Sequence, residues 1–228
     1  LSDDSLLDRI DIPEQQASPI YTKVENERVV LDSGHSLHPF LRKEGVSETR
    51  RYLQKELSEL SEALKSSNVD RKYHASFDKL TELIEFEDDA GAISFGLHVR
   101  LVFQLTKKIE EELSDILAVK IGSTLTHSAY FASQYKDWIE FLYNAKNYPS
   151  RESIEGEVDE ALDKVTSLLV AESGIVDPSV PQSIRFILTM LNGTAEDRRN
   201  AIYAGVRGVE NICIATIKYA YGEAIRLL

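Results

Sequence analysis

The stretch TAEDRRNAIYAGVRGVENICIATIKYAYGEAIRLL, Thr194–Leu228, decides how the chain is read. Its apolar and small residues recur at helical spacing over the whole length. At roughly 100° per residue, Ile202, Val206, Val209, Cys213, Ala220, Ala224 and Leu227 share one stripe. Ala201, Gly205, Gly208, Ile212, Ala215 and Tyr219 share a second, adjacent stripe, and Arg207, Asn211 and Lys218 mark a narrow polar strip. A helix that is apolar or small around most of its circumference is buried by neighbours on several sides. Gly205 and Gly208 each cost about 1 kcal/mol relative to alanine in a helix interior. The usual compensation is the close approach of another segment of chain. The Ile202–Leu227 stripe is therefore expected in the core, with Cys213 as a small buried hydrophobe. The glycine face is expected to decide between a self-contained bundle and an assembly in which a second chain shares the helix. Thr194 and Asp197 stand in capping-box spacing at the start. Asn192-Gly193 stops the preceding helix, glycine being the usual left-handed residue there.

Upstream, the same period predicts further helices. Leu53, Leu57, Leu60 and Leu64 place one over about Ser47–Lys65, ended by Ser66-Ser67-Asn68. A second covers about His74–Glu85, closed by Asp88-Asp89-Ala90-Gly91. A third runs unbroken over about Ile93–Val119, with Gly122-Ser123-Thr124 as its end, and a fourth covers about Thr126–Ala145. A fifth runs from Ser150 or Ser153 to about Ala171, with Ile154, Val158, Ala161, Leu162, Val165 and Leu169 inward. Glu172–Gln182, holding Gly174, Pro178 and Pro181, reads as a linker before a short helix at Ser183–Leu191. Strand signals are confined to Ile20–Val24 and Arg28–Asp32, a candidate hairpin around Glu25-Asn26-Glu27. The fold class is thus an all-α multi-helix bundle of about seven helices, residues 47–228, behind an irregular or hairpin segment, residues 1–46.

Composition narrows the function classes. The chain has 228 residues, 43% hydrophobic and 28% charged, which suits a packed core. A net charge of −12 disfavours nucleic acid and anionic membrane surfaces, because phosphate is repelled. No run of apolar residues is long enough to span a membrane. One cysteine excludes a disulfide framework and a multi-cysteine metal site, and the expected compartment is reducing, the cytoplasm. The chain starts without Met or a signal-type apolar core and is expected to be part of a larger protein.

Two carboxylate pairs carry the sharpest chemical pattern. Glu56-Leu57-Ser58-Glu59 lies inside LQKELSELSEAL, and Glu112-Leu113-Ser114-Asp115 lies inside KKIEEELSDIL. Acids at i and i+3 share a helix face, and hard oxygen ligands suit Mg²⁺. The pairs resemble the E-x-x-E and E-x-x-D motifs of the all-helical, MazG-type nucleotide pyrophosphohydrolases. The resemblance covers about two dozen residues and implies Mg²⁺ held by Glu56, Glu59, Glu112 and Asp115 against a triphosphate. On the first helix, however, Glu56 and Glu59 flank the leucine stripe, roughly 70° and roughly 130° from its centre.

Asp32, His35 and His38 share one polar loop, a pattern that can hold a transition metal or simply face solvent. His127, Phe131, Tyr135, Trp138 and Leu142 form an aromatic stripe, read as a core face with His127 at its solvent end. His74 and His98 stand without a nearby nucleophile, and Asn192-Gly193-Thr194 matches a glycosylation sequon. No phosphate-cradling glycine loop is present, since Gly205-x-x-Gly208 lies within a helix.

No residue is assigned a catalytic, cofactor-binding or metal role, and no cofactor is implied. The expected function is a non-catalytic helical protein-interaction or oligomerisation domain. Its partner would be another protein or a second copy, met through the C-terminal helix or the Leu53–Leu64 stripe. The alternative is the Mg²⁺-dependent nucleotide hydrolase.

Overall fold

A computed structural model describes residues 12–32, 43–86, 89–148, 152–172 and 174–226. Among these the chain forms eight α-helices, one 3-10 turn and a two-stranded antiparallel hairpin. The fold is an all-α bundle with a short hairpin near its N-terminus. Packing divides the chain into two compact units, Gly34–Tyr143 and the combination of Leu1–Ser33 with Asn144–Leu228.

The first unit is built on α1 (Lys43–Lys65), α2 (Arg71–Leu83), α3 (Asp89–Lys108) and α4 (Asp115–Ala132), followed by the start of α5 (Lys136–Asn147). α1 packs on α2 and α4, and α3 packs on the same two helices, so the four close into a ring. The ion pairs Glu56–His127 and Glu59–Lys120 show that α1 and α4 run antiparallel. Leu53, Leu57, Leu60 and Leu64 are all buried in this ring. Asp70 caps α2 by accepting from the Lys72 amide at 3.0 Å. Phe86, Phe95, Phe131 and Tyr135 meet with ring centroids 5.0–5.9 Å apart. The Arg50 guanidinium lies 5.3 Å over Phe86 and donates to the Tyr135 hydroxyl at 3.1 Å.

The helix expected over Ile93–Val119 is two helices. The chain leaves α3 at Lys108, makes a 3-10 turn at Glu110–Glu112 and passes through extended backbone at Leu113 (φ −88°, ψ 136°). Ser114 then caps α4 through the Leu117 amide at 3.4 Å, with Asp115 at the positive end of the new helix. Gly122-Ser123-Thr124, expected as a break, lies inside α4. One glycine costs about 1 kcal/mol, and burial of Leu117, Ile121, Leu125 and Phe131 exceeds that. The Thr126 and Ser128 hydroxyls fold back onto the Gly122 and Thr124 carbonyls, so they do not compete with the helix. The actual break in the expected Thr126–Ala145 helix falls between Ala132 and Lys136.

The second unit joins β1 (Thr22–Glu25) and β2 (Arg28–Leu31) to α6 (Glu152–Ala171), α7 (Ser179–Met190) and α8 (Ala195–Arg226). The predicted linker makes an isolated bridge to β2. Val29 donates to the Ile175 carbonyl at 2.7 Å and accepts from the Asp177 amide at 2.8 Å, forming a parallel bridge with Val176. Pro181 falls in the first turn of α7, where a missing N–H is harmless, so the helix starts earlier than its prolines suggested. Gly193 is not left-handed, since no described glycine has positive φ. The capping box of α8 forms as its spacing predicts: Thr194 Oγ1 accepts from the Asp197 amide at 3.2 Å, and the Thr194 amide donates back to the Asp197 carboxylate at 3.2 Å.

The hairpin turns through Asn26 (φ 52°) and Glu27 (φ 61°), both left-handed. Two such residues make the turn that matches strand twist, and Asn-Gly is its preferred pair. Glu27→Gly removes the side chain from a left-handed position that costs about 1 kcal/mol or more. It is expected to raise the stability of this unit by about 1 kcal/mol in a urea melt.

Candidate functional site

The four acids of the nucleotide-hydrolase pattern are dispersed. Glu56 sits on α1 and pairs with His127 Nδ1 at 2.8 Å. Glu59 pairs with Lys120 at 3.8 Å and Lys55 at 3.9 Å. Glu112 belongs to the 3-10 turn and Asp115 to the first turn of α4, and both are exposed. The extended residue between them breaks the i,i+3 geometry that a shared helix would supply. Among the described residues no three His, Cys, Asp or Glu side chains come together as a metal-holding group. His35 and His38 lie outside the described residues.

Phe131, Tyr135 and Trp138 are buried and His127 is exposed, although the stripe spans the α4–α5 break. His74 Nε2 lies 3.1 Å from the Val69 carbonyl. His98 is buried on α3 with Nε2 3.1 Å from the Ser76 carbonyl, and burial pushes its pKa down to about 4. Its imidazole stays neutral in the folded chain at neutral pH. The unfolded chain takes up a proton near pH 6.5, so stability is complete above that pH and falls as the pH drops toward 4. The loss is on the order of 3 kcal/mol. His98→Gln keeps a polar group beside the Ser76 carbonyl without the titration. Urea midpoints measured from pH 7 to pH 4 are expected to fall less steeply in this variant than in wild type.

The C-terminal helix inverts the expected order of its faces. On the stripe expected in the core, only Ile202 is buried among the described positions. Val206 and Val209 are half-buried, and Cys213, Ala220 and Ala224 are exposed. Cys213 is thus a surface thiol. On the other stripe Ala201, Gly205, Gly208, Ile212 and Ala215 are buried. The reason is that the missing side chains are replaced by the chain's own. A Cβ on Gly205 would stand 2.5 Å from Leu162 Cδ1, and a Cβ on Gly208 would stand 2.9 Å from Ile20 Cδ1.

The polar strip also turns inward or pairs locally. Asn211 is fully buried. Its Oδ1 accepts from the Gln16 amide at 2.8 Å, and its Nδ2 donates to the Gln16 and Ile20 carbonyls, each at 2.9 Å. Thr22 Oγ1 donates to the Asn211 carbonyl at 3.1 Å, and Ser18 Oγ donates to the Ala204 carbonyl at 3.2 Å. Arg207 pairs with Glu210 at 2.5 Å and lies 5.4 Å over the Tyr203 ring, while Lys218 reaches Glu14 at 3.1 Å. Residues 16–22 thus form a strap across the small-residue face of α8.

Exposed apolar residues are scattered over several elements, Tyr52, Ile139, Tyr143, Leu168, Ile175 and Ile217 among them, and three more align on α4. Ile116 is 84% exposed, Val119 72% and Tyr130 74%. With exposed Ser123 and Thr126 they fall within an arc of roughly 80°. The opposite face of the same helix carries the core residues Leu117, Ile121, Leu125 and Phe131. This stripe was hidden in the sequence by the expected break at Gly122. Its signal was a helix apolar on both faces, visible only once residues 115–132 are read as one element.

No known protein family matches the chain, and no characterised protein or solved structure is found to be similar to it. Among the described residues no helix is long and apolar enough to cross a membrane.

Proposed function

We propose that this chain is a non-catalytic helical protein-interaction or oligomerisation domain, and that the outward face of α4 is its contact surface. The observation that supports this is the row of exposed Ile116, Val119 and Tyr130 on one helix face. Single exposed apolar residues are ordinary, but an aligned row is a feature of contact sites. The Leu53–Leu64 stripe is occupied by the bundle core, and the glycine face of α8 is occupied by Leu162 of α6 over Gly205 and by the strap over Gly208. An 18-residue helix offers a small patch, so the contact is of the weak, reversible kind unless neighbouring elements join it.

Ile116→Glu, Val119→Lys and Tyr130→Ser together test the reading. All three side chains face solvent, so each substitution is expected to change stability by no more than about 0.5 kcal/mol. Sedimentation velocity at rising concentration reads self-association. Photo-cross-linking from benzoylphenylalanine in place of Tyr130, in cells, reads a separate partner. A discrete adduct or a concentration-dependent sedimentation shift that disappears with the substitutions at 116 and 119 is the expected result. Neither signal in the parent chain, or the same signal in the substituted one, removes the proposal.

A further inference from the structure

The exposed row on α4 has a spacing of its own. Ile116, Val119, Ser123, Thr126 and Tyr130 are all exposed and follow one another at alternating intervals of three and four residues. That alternation is the seam by which one helix lies along another. The seam runs about 21 Å at the helical rise. It is low in the middle. A Cβ built on Gly122 meets nothing within 4 Å, and Ser123 is small. The Thr126 hydroxyl donates to the Gly122 carbonyl at 2.7 Å, so a residue covering it need supply no polar partner. The ends stand higher, with Ile116 and Val119 at the start and Tyr130 at the finish. A covering helix finds a saddle that admits a large apolar side chain at its centre.

Charge selects which helix. Glu110, Glu111 and Glu112 form the turn that leads into α4, Asp115 opens it, and all four are exposed. Lys107 and Lys108 at the end of α3 offset two of these charges. Lys120, beside the seam, is taken up by the carboxylate and carbonyl of Glu59, and His127 by Glu56. The start of the seam is therefore acidic, on a chain whose net charge is −12. A second copy brings the same charge and is repelled. A helix with lysine or arginine in its last turn is drawn to this end, and those residues also suit its own dipole. Such a helix, placing its last turn over the start of α4, runs antiparallel to it. We propose that the α4 seam takes an amphipathic helix of a partner protein, antiparallel to α4, with a basic last turn set against Glu110, Glu111, Glu112 and Asp115. This rests on the reading of α4 as a contact surface and adds the class of partner.

The probe is a fluorescein-labelled helical peptide with leucines in heptad spacing and three lysines in its last turn, titrated with the full chain and read by anisotropy. It is expected to bind at least tenfold more tightly than the same peptide with glutamates in place of the lysines. It is expected to weaken severalfold as salt rises past the point where exposed charges are screened, and when the lysines are moved to the first turn. Ile116→Asn with Val119→Asn leaves the charge unchanged and is expected to abolish binding, with the helical signal in circular dichroism retained. No binding, equal binding of the lysine and glutamate peptides, or binding that survives the asparagine variant overturns the proposal. So does a dimer of the chain alone that the asparagine variant disperses, since the seam then takes a second copy. Photo-cross-linking from position 130 separates the two levels of the reading. An adduct that persists unchanged when Glu110→Lys, Glu111→Lys and Glu112→Lys are combined overturns the basic partner and leaves the contact surface standing. Absence of any adduct and of self-association removes both.

Discussion

Asn211→Leu is expected to cost the unit that holds α8 about 4 kcal/mol. The asparagine is fully buried and makes three side-chain hydrogen bonds to main-chain groups of Gln16 and Ile20. Leucine has a similar volume and can match none of them. Each buried main-chain group left without a partner costs about 1–3 kcal/mol. Three such groups with partial access to water reach the stated total. Asn211→Asp separates hydrogen bonding from shape. It keeps the acceptor for the Gln16 amide but faces a carboxylate toward two carbonyls, so it is expected to cost at least as much as leucine. Hydrogen exchange provides the local readout: the Gln16 amide loses protection in both variants, while amides in the α1–α4 ring keep theirs. A loss below about 1 kcal/mol in urea melts would mean that water replaces the clamp at little cost.

Gly96→Val is expected to cost the other unit about 2 kcal/mol. Gly96 lies on α3 against the indole of Trp138, where an added Cβ would meet three ring carbons at 2.7–2.8 Å. The ring stacks on Phe141 with centroids 5.7 Å apart and an interplanar angle of 11°. It is a rigid side chain in a buried seat, so it cannot swing away as a lysine tip would. Overpacking of this kind costs about 1–3 kcal/mol and sometimes more, against a gain of about 0.5 kcal/mol for replacing a helical glycine with valine. Because Trp138 is the sole tryptophan, its fluorescence reports this unit directly. Trp138→Leu on the Gly96→Val background is expected to recover part of the loss. Strictly additive effects would show that the two residues do not press on each other.

Helical content was legible because it rests on local periodicity. The leucine ladder of α1, the capping box of α8 and the two short strand signals each needed only a few neighbouring residues. The misplaced breaks had a local cause as well. Gly122-Ser123-Thr124 and Gly193 carry the residue types of helix ends, yet the first lies within α4 and the second is not left-handed. Residue type sets a cost of about 1 kcal/mol, and long-range burial of several apolar side chains outweighs it. Leu113-Ser114 shows the reverse case. An apolar residue in phase with a helix sits in extended backbone because the serine beside it caps a new helix.

The candidate surfaces were legible only in part. The Ile116–Tyr130 stripe depends on where α4 begins and ends, and on which of its two apolar faces the ring of helices covers. The pairs Glu56–Glu59 and Glu112–Asp115 matched a metal-binding spacing, but spacing implies a shared face only when both acids lie on one helix.

By itself the sequence determined the all-α class, most of the helices, the hairpin and the single long helix at the C-terminal end. Tertiary structure alone decided what covers it. Ile20 reaches Gly208 and Gln16 reaches Asn211 across nearly two hundred residues. Helical periodicity ranks faces by the side chains they carry, so it favours the valine and cysteine stripe for the core. Packing ranks them by what can approach, and a face of glycine and alanine admits another segment most closely. That is why the glycine stripe lies inside and Cys213 faces solvent.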